Sequence, residues 1–489
     1  MRTLPQLVAL GFMACVGMIS PGCQDSGGED TKRTSGSDGI SAPANINPNS
    51  LAIEIVNELN ENLVHRTPLT EEQARMVATR AAGALEIAKI ELRLAGVTNA
   101  ETYEDRIEEF ADELVEGALG ALDELENVHQ RQVNKVLEEI VASIMESLEN
   151  RTDHLDSVGL GTMLYLLAEG AMQHLDEAGY SIQSMAEGAR TIASAAIGGL
   201  DDAGVLTPSN GRDILVAIVS GTIQGLAESP LARSTNKATE YSLVIDDLLY
   251  GAVGSLDDAG FSLEEIDDSI AHVIFAALSR FDELGFKVEA LSLPIGAALH
   301  GTIDALKREA GVSDPADIEK ALGFCVRGAV ESLAHSSLTL EQMDEVIGII
   351  VKKTVQHVDN LGVSHEETET VMEEIVLSAI ESMDGAGFNT EHVEAYGDVM
   401  ADITVATMEG LSEVGFNNAE ITDFLDDMIA SAFKPLVGHQ FSRQQSEVVG
   451  THFMNGLQTG LAASTEIVFT YDSASVTAHV QAALDAAYQ

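Results

Sequence analysis

One phrase returns along this chain at a nearly fixed interval, and a fixed interval leaves few folds open. It reads RLAGV at 93–97, LDEAGY at 175–180, LDDAGV at 200–205, LDDAGF at 256–261 and FDELGF at 281–286. It continues as REAGV at 308–312, VDNLGV at 358–363, MDGAGF at 383–388 and LSEVGF at 411–416. From Gly179 onward the glycines are 25, 56, 25, 26, 51, 25 and 28 residues apart. The two long gaps each hold two periods, with worn copies ending near Ser229-Pro230 and near Ser336-Ser337. Earlier copies end near Glu126 and Thr152, later ones near Gln440 and Ser464. Self-similarity on this scale is the mark of a repeat protein, whose units bury their apolar faces only by stacking on one another.

Each period has the grammar of one helix. The Gly suits the left-handed residue that closes a helix, and the apolar residue after it completes a Schellman stop. An N-cap with its box follows: Ser262 with Glu265, Thr339 with Gln342, Ser364 with Glu367, Asn417 with Glu420, Ser442 with Gln445. Such pairs satisfy orphan amides in the first turn and start a helix there. Phe261 with Ile266, Leu338 with Met343 and Phe416 with Ile421 have the spacing of hydrophobic staples.

Between stop and cap lie about 20 residues with a single apolar stripe, which make helices about 30 Å long. Small residues such as Gly251-Ala252 and Gly328-Ala329 sit on that stripe and let neighbouring helices approach closely. About 16 helices joined by turns of about five residues must alternate in direction. The spacing predicts an all-α stack of antiparallel helical hairpins over 51–489, with a two-helix repeat of about 52 residues, as an α-solenoid or a closed α/α ring.

Composition narrows the function. Acidic residues outnumber basic ones by 79 to 26, for a net charge of −53. That excludes a nucleic-acid partner, because phosphate contacts need clustered Lys and Arg. Aromatic residues are 4% of the chain and Trp is absent.

Residues 1–22 combine a short segment carrying Arg2, an apolar core from Leu7 to Ile19 and small residues before Cys23, as in an export signal. Ser20-Pro21-Gly22-Cys23 resembles the lipobox of bacterial lipoproteins, with Gly22 and Cys23 fitting and Ser20 and Pro21 departing from the usual residues. The resemblance implies cleavage before Cys23, acylation of that cysteine and sorting to the outer membrane of the envelope, for which Gln24 after it is suited. A plain secretory signal cut nearby, or cleavage before Cys15, reads the same residues differently. The polar stretch 24–50 has almost nothing to bury and predicts a flexible tether. In the mature chain Cys325 is then the one unmodified thiol, read as a buried small apolar residue.

Signals for chemistry are few. Asp recurs in the last helical turn (Asp176, Asp201, Asp202, Asp257, Asp258, Asp282, Asp359, Asp384), where it faces the negative end of the helix dipole. Its simple role is a turn residue beside the amide-rich start of the next helix. The functional reading is a weak Ca²⁺ site, for which Asp201, Asp202, Asp257 and Asp258 are the candidates. His174 and His357 have no second His or Cys at helical spacing and read as packed or turn-facing, not as zinc ligands. Glu138-Glu139 and Glu373-Glu374 read as solvated helix faces. HExxH, CxxC, GxSxG and the P-loop signature are absent.

The sequence therefore predicts a non-enzymatic, lipid-anchored helical scaffold that presents an acidic surface to a protein partner and meets the membrane only through its anchor. The alternative is an α/α-toroid enzyme or carbohydrate-binding protein, against which the lack of Trp and the short, uniform turns count. Lipid binding by amphipathic helices ranks lower, because the polar faces are acidic. Adaptation to a salty habitat would account for the charge without any partner.

Overall fold

The structure, a computed structural model, describes residues 48–488 except 95–113, 126–128, 150–156, 362–364, 417–423, 464–472 and positions 203, 205, 230, 232–233, 282–283, 426–427 and 430. Among the described residues there is no strand. The bounded helices in the first half are α1 (Pro48–Arg66), α2 (Glu71–Leu94), α3 (Gln130–Glu149), α4 (Ser157–Glu177), α5 (Ile182–Asp202), α6 (Pro208–Glu228), α7 (Lys237–Asp258) and α8 (Leu263–Leu278). They continue as α9 (Val288–Arg308), α10 (Pro315–Ser332), α11 (Leu340–Leu361), α12 (His365–Ser382), α13 (Val393–Glu413), α14 (Lys434–Gly438), α15 (Arg443–Ala463) and α16 (Ser473–Ala487). Residues 114–123 are also helical and lie between α2 and α3.

Parity organises the stack. From α3 to α15, the short α14 apart, the most extensive packing joins helices two places apart in the chain, α3 with α5, α5 with α7, α7 with α9 and so to α15, and likewise α4 with α6, α6 with α8, α8 with α10 and α10 with α12, while α16 lies on α15. Odd helices make one layer and even helices the other, with the apolar stripes of both facing the core between them. Side chains that bridge like helices are therefore two repeats apart in sequence: Asn134 to Glu187, Gln173 to Glu228, Lys352 to Glu409. The constant offset means that helices within a layer run parallel, while consecutive helices are antiparallel. At the N-terminal end the rule changes, since Asn62 meets Ser143 and Arg66 meets Glu139, so α1 runs antiparallel to α3. Among the described helices, no packing of comparable extent joins α1 or α2 to α15 or α16, so the ladder is an open solenoid and not the closed ring the sequence also allowed.

Glycine sets the spacing within each layer. Gly221 of α6 lies against the Tyr165 carbonyl of α4, Gly328 of α10 against the Ala271 carbonyl of α8, and a Cβ on either would overlap that backbone. In the odd layer a Cβ on Gly456 of α15 would sit 2.5 Å from the Ala401 carbonyl oxygen of α13. Such close approach lets small aliphatic side chains fill the core, which is why the chain needs so few aromatic residues.

The stops form as the sequence predicts. Gly179, Gly204, Gly260, Gly285, Gly311, Gly387 and Gly415 all have positive φ. After Gly260, the Phe261 amide donates to the Leu256 carbonyl at 3.0 Å and the Gly260 amide to Asp257 at 2.8 Å, the two bonds of a Schellman stop. Capping boxes close at Ser262 with Glu265, Thr339 with Gln342 and Ser442 with Gln445. Thr70 with Gln73 and Thr207 with Asn210 form two more that the sequence reading passed over. Gly96, Gly362 and the boxes at Ser364 and Asn417 lie outside the described residues.

The worn copies obey a longer period. Helix α6 ends in the extended Ser229 (ψ 161°), and the 3-10 turn that follows α10 ends in the extended Ser336 (ψ 161°); their hydroxyls donate to the carbonyls of Leu226 and Leu333. Four helices further on, α14 keeps a Schellman geometry but places Gln440 at φ 62°, the described non-glycine residue with positive φ. Ser229, Ser336 and Gln440 are 107 and 104 residues apart, so the solenoid carries a four-helix super-repeat.

A side chain in the left-handed region is strained, and glycine relieves it. Gln440→Gly should raise stability by about 1 kcal/mol, whereas Gly260→Val should lower it by about 1–2 kcal/mol or more. Urea unfolding of the two variants beside the parent checks both signs.

Candidate functional site

The chemistry of the molecule concentrates in the seams between parallel helices. Basic side chains are few against many acids, and several bridge two carboxylates, within a helix at Lys135 and across a seam at Lys352. Lys135 of α3 lies 2.5 Å from Glu138 and 3.1 Å from Glu139. Lys352 of α11 reaches Glu409 at 2.8 Å and Glu413 at 3.0 Å on α13. His452 of α15 holds Asp398 through Nδ1 at 2.8 Å and Glu394 through Nε2 at 2.9 Å, both on α13. Lys320 of α10 bridges to the buried Asp267 of α8 at 3.1 Å.

The odd layer carries the densest group. Asp246 of α7 accepts from His300 Nδ1 of α9 at 2.8 Å, and the His300 ring lies 5.4 Å from that of His357 on α11. The hydrogen bond to Asp246 holds His300 above the usual histidine range, while burial, reinforced by the charge of His300, presses His357 down to about 4. One imidazole is thus poised to carry charge and its neighbour is kept neutral.

Further along the same layer Asp344 of α11 meets Asp402 of α13. Burial, the neighbouring Asp402 and Asp398 and a hydrogen bond to Asp402 push the Asp344 carboxyl up to about 8, and burial raises Asp402 as well. Two carboxyls this close share a proton because both cannot ionise together. Of the two, Asp344 is the carboxyl whose protonated form is favoured, with a hydrogen bond to Asp402, and one oxygen of Asp344 is buried without a hydrogen bond.

No protein-family model matches the chain, and no curated protein does either.

The residues singled out from sequence fall elsewhere. Asp201, Asp202 and Asp258 are exposed and Asp257 half-exposed at their helix ends. Among the described residues no group of three or more His, Cys, Asp or Glu side chains is placed to hold a metal ion, so the Ca²⁺ reading gains no geometry here. Asp176 takes a turn role, but not beside the start of the next helix: its carboxylate accepts the Leu231 amide at 2.7 Å in the turn after α6. Again the partner is two helices away. Asp282 and Cys23 lie outside the described residues.

His174 is packed, with Nδ1 3.7 Å from Glu177. Cys325 is fully buried and burial pushes its thiol up, so it is a core residue and not a nucleophile. The acid pairs need correction. Glu139 is not on a solvated face but 2% exposed, held by Lys135 and by Arg66 at 3.7 Å. Glu374 is half-buried on Ser378, and Glu373 accepts from Ser431.

Sequence reasoning missed the pairs Asp246–His300, Asp344–Asp402 and Glu394–His452. The signal was present, since members of each pair are 54, 58 and 58 residues apart, two repeats in every case.

Proposed function

We propose that this chain is a non-enzymatic, lipid-anchored helical-repeat binding protein of the bacterial cell envelope. The observation that carries this reading is the seam pattern. Lys352 bridges to Glu409 and Glu413 and Lys320 to Asp267 across the joints between helices, and with 79 acidic residues against 26 basic ones the outward helix faces carry an excess of negative charge. A long, rigid face of one sign attracts a partner of the other and accelerates its docking. The partner that fits is a protein with a basic surface. Cys23, acylated behind its lipobox-like residues, would hold the solenoid to the outer membrane by the polar stretch that follows it.

Two experiments test the two halves of this reading. Cys23→Ala should move the protein from the membrane fraction to the soluble one and abolish incorporation of labelled palmitate; unchanged fractionation and labelling would remove the lipoprotein assignment. The mature chain immobilised on beads should retain from envelope extracts a basic protein that salt releases, as expected for exposed charges. Retention of nothing specific at about 0.05 M salt would sink the binding role.

A further inference from the structure

The α10–α11 turn, one of the worn copies, borders a cavity of about 270 Å³. It lies between the C-terminal ends of α8 and α10 and the N-terminal turns of α9 and α11. One wall is apolar and aromatic, with Phe281 and Phe286 packed edge to face at 5.8 Å and Leu291 and Ile350 beside them. The opposite wall is the serine-rich end of α10. Ser332 and Ser336 donate their hydroxyl protons to the carbonyls of Ala329 and Leu333, both at 2.7 Å; Ser336 Oγ also accepts the Leu338 amide at 3.4 Å, and each hydroxyl oxygen has acceptor capacity left. The cavity reaches the surface where Ser337 is exposed and Leu338 half-buried.

The turn that borders the cavity departs from the repeat. In other turns a left-handed glycine is followed by an apolar residue buried in the joint between layers, aromatic at Phe388 and Phe416 and aliphatic at Val312. Here a 3-10 turn over Leu333–His335 and an extended Ser336 replace the glycine stop, and Leu338 stands in the place of that residue before the next cap.

We propose that this cavity binds a small neutral molecule, largely aromatic or alicyclic, of about ten to twelve heavy atoms with one hydrogen-bond donor. Size follows from volume, given that a cavity of about 150 Å³ accommodates benzene. Neutrality follows from the walls: none of the described lining residues is charged, and a chain of net charge −53 repels anions around the mouth. The donor follows from the serine oxygens, whose own protons are committed to helix carbonyls. Ligand sites of this kind are apolar concavities with a few placed polar groups.

The test uses the mature chain with 2-naphthol as the probe, followed by its fluorescence and by equilibrium dialysis. One molecule per chain should bind saturably and raise the melting temperature. The anion 2-naphthoate and the donorless 2-methoxynaphthalene should each bind at least tenfold more weakly. Leu338→Trp should occupy the mouth, weaken 2-naphthol binding at least tenfold and emit as a buried indole in a chain that otherwise lacks Trp. Leu338→Phe, which places there the residue that Phe261, Phe388 and Phe416 provide in other turns, should fold normally and also weaken binding. Absence of saturable binding, equal binding of the anion, or binding untouched by both substitutions would overturn the proposal.

Discussion

Gly301→Ala is expected to destabilise the solenoid by about 3 kcal/mol or more, an effect far outside what one methyl group on a helix surface produces. Gly301 of α9 lies against the Asp246 carbonyl of α7, and a Cβ there would overlap that oxygen. Both groups belong to helix backbones, which cannot swing aside as a long side chain would. Relief therefore requires α7 and α9 to separate, and separation strains the Asp246–His300 bond and the contact between Tyr250 and Glu309 along the same seam. Gly198 of α5 provides the control, because nothing lies within 4 Å of a Cβ placed on it. Gly198→Ala should be neutral or stabilising by up to about 1 kcal/mol, from helix propensity alone. Urea midpoints for the two variants measure the difference. Equal midpoints would mean that close approach at Gly301 does not set the layer spacing.

Asp344→Asn should stabilise the protein at pH 8 and change its response to pH. In the folded chain the Asp344 carboxyl keeps its proton up to about 8, whereas in the unfolded chain it releases it near the usual carboxylate value. A raised folded pKa contributes stability that is fully present below the unfolded pKa and is lost as pH rises through the folded one. The parent should therefore weaken between about pH 4 and pH 8 more steeply than the variant. At pH 8 asparagine still donates to Asp402 and carries no charge, and its advantage is on the order of 2 kcal/mol once partial exposure is allowed for. General repulsion among the acids weakens both proteins as pH rises, so the difference between them isolates this pair. Parallel stability curves for parent and variant from pH 5 to pH 8.5 would show that the proton is not held at Asp344.

The two structural levels were unequally legible. Stops and caps are local, written in three to six adjacent residues, and Gly260-Phe261-Ser262 with Glu265 reads the same in sequence and in space. The stripe that forms the core was legible for the same reason, since helix geometry alone brings Ile266, Ile270, Val273 and Ile274 to one side, and all four are buried. The seams were not. A reader who pairs each helix with its chain neighbour looks for partners about 26 residues away, while the partners that matter lie 53 to 59 away because layers form between alternate helices. Asp344 and Asp402 look like ordinary solvated acids until that offset is applied. Glu139 misled for a related reason: an acid beside another acid on a helix suggests a wet face, but α1 crosses over it antiparallel and brings Arg66 and Asn62 close to α3. Why Ser336 and not Ser229 borders the cavity also depends on residues beyond the turn, for Leu231 packs onto the core after α6.

The short reach of the seams bears on how such a chain acquires its shape. Among the described residues, the seam bonds named above span 53 to 59 residues of a 489-residue chain, Asn62 to Ser143 spans 81 and Arg280 to Tyr165 spans 115. Contacts of this reach form without a distant segment. Helix pairs can settle onto those already in place, each new layer member finding its parallel neighbour within the last two repeats, as in other quasi-one-dimensional proteins whose contacts stay local. A chain threaded through a membrane pore from its N-terminus could thus harden behind the pore while its C-terminal half is still on the other side, and each completed hairpin would act as a ratchet against backward slippage.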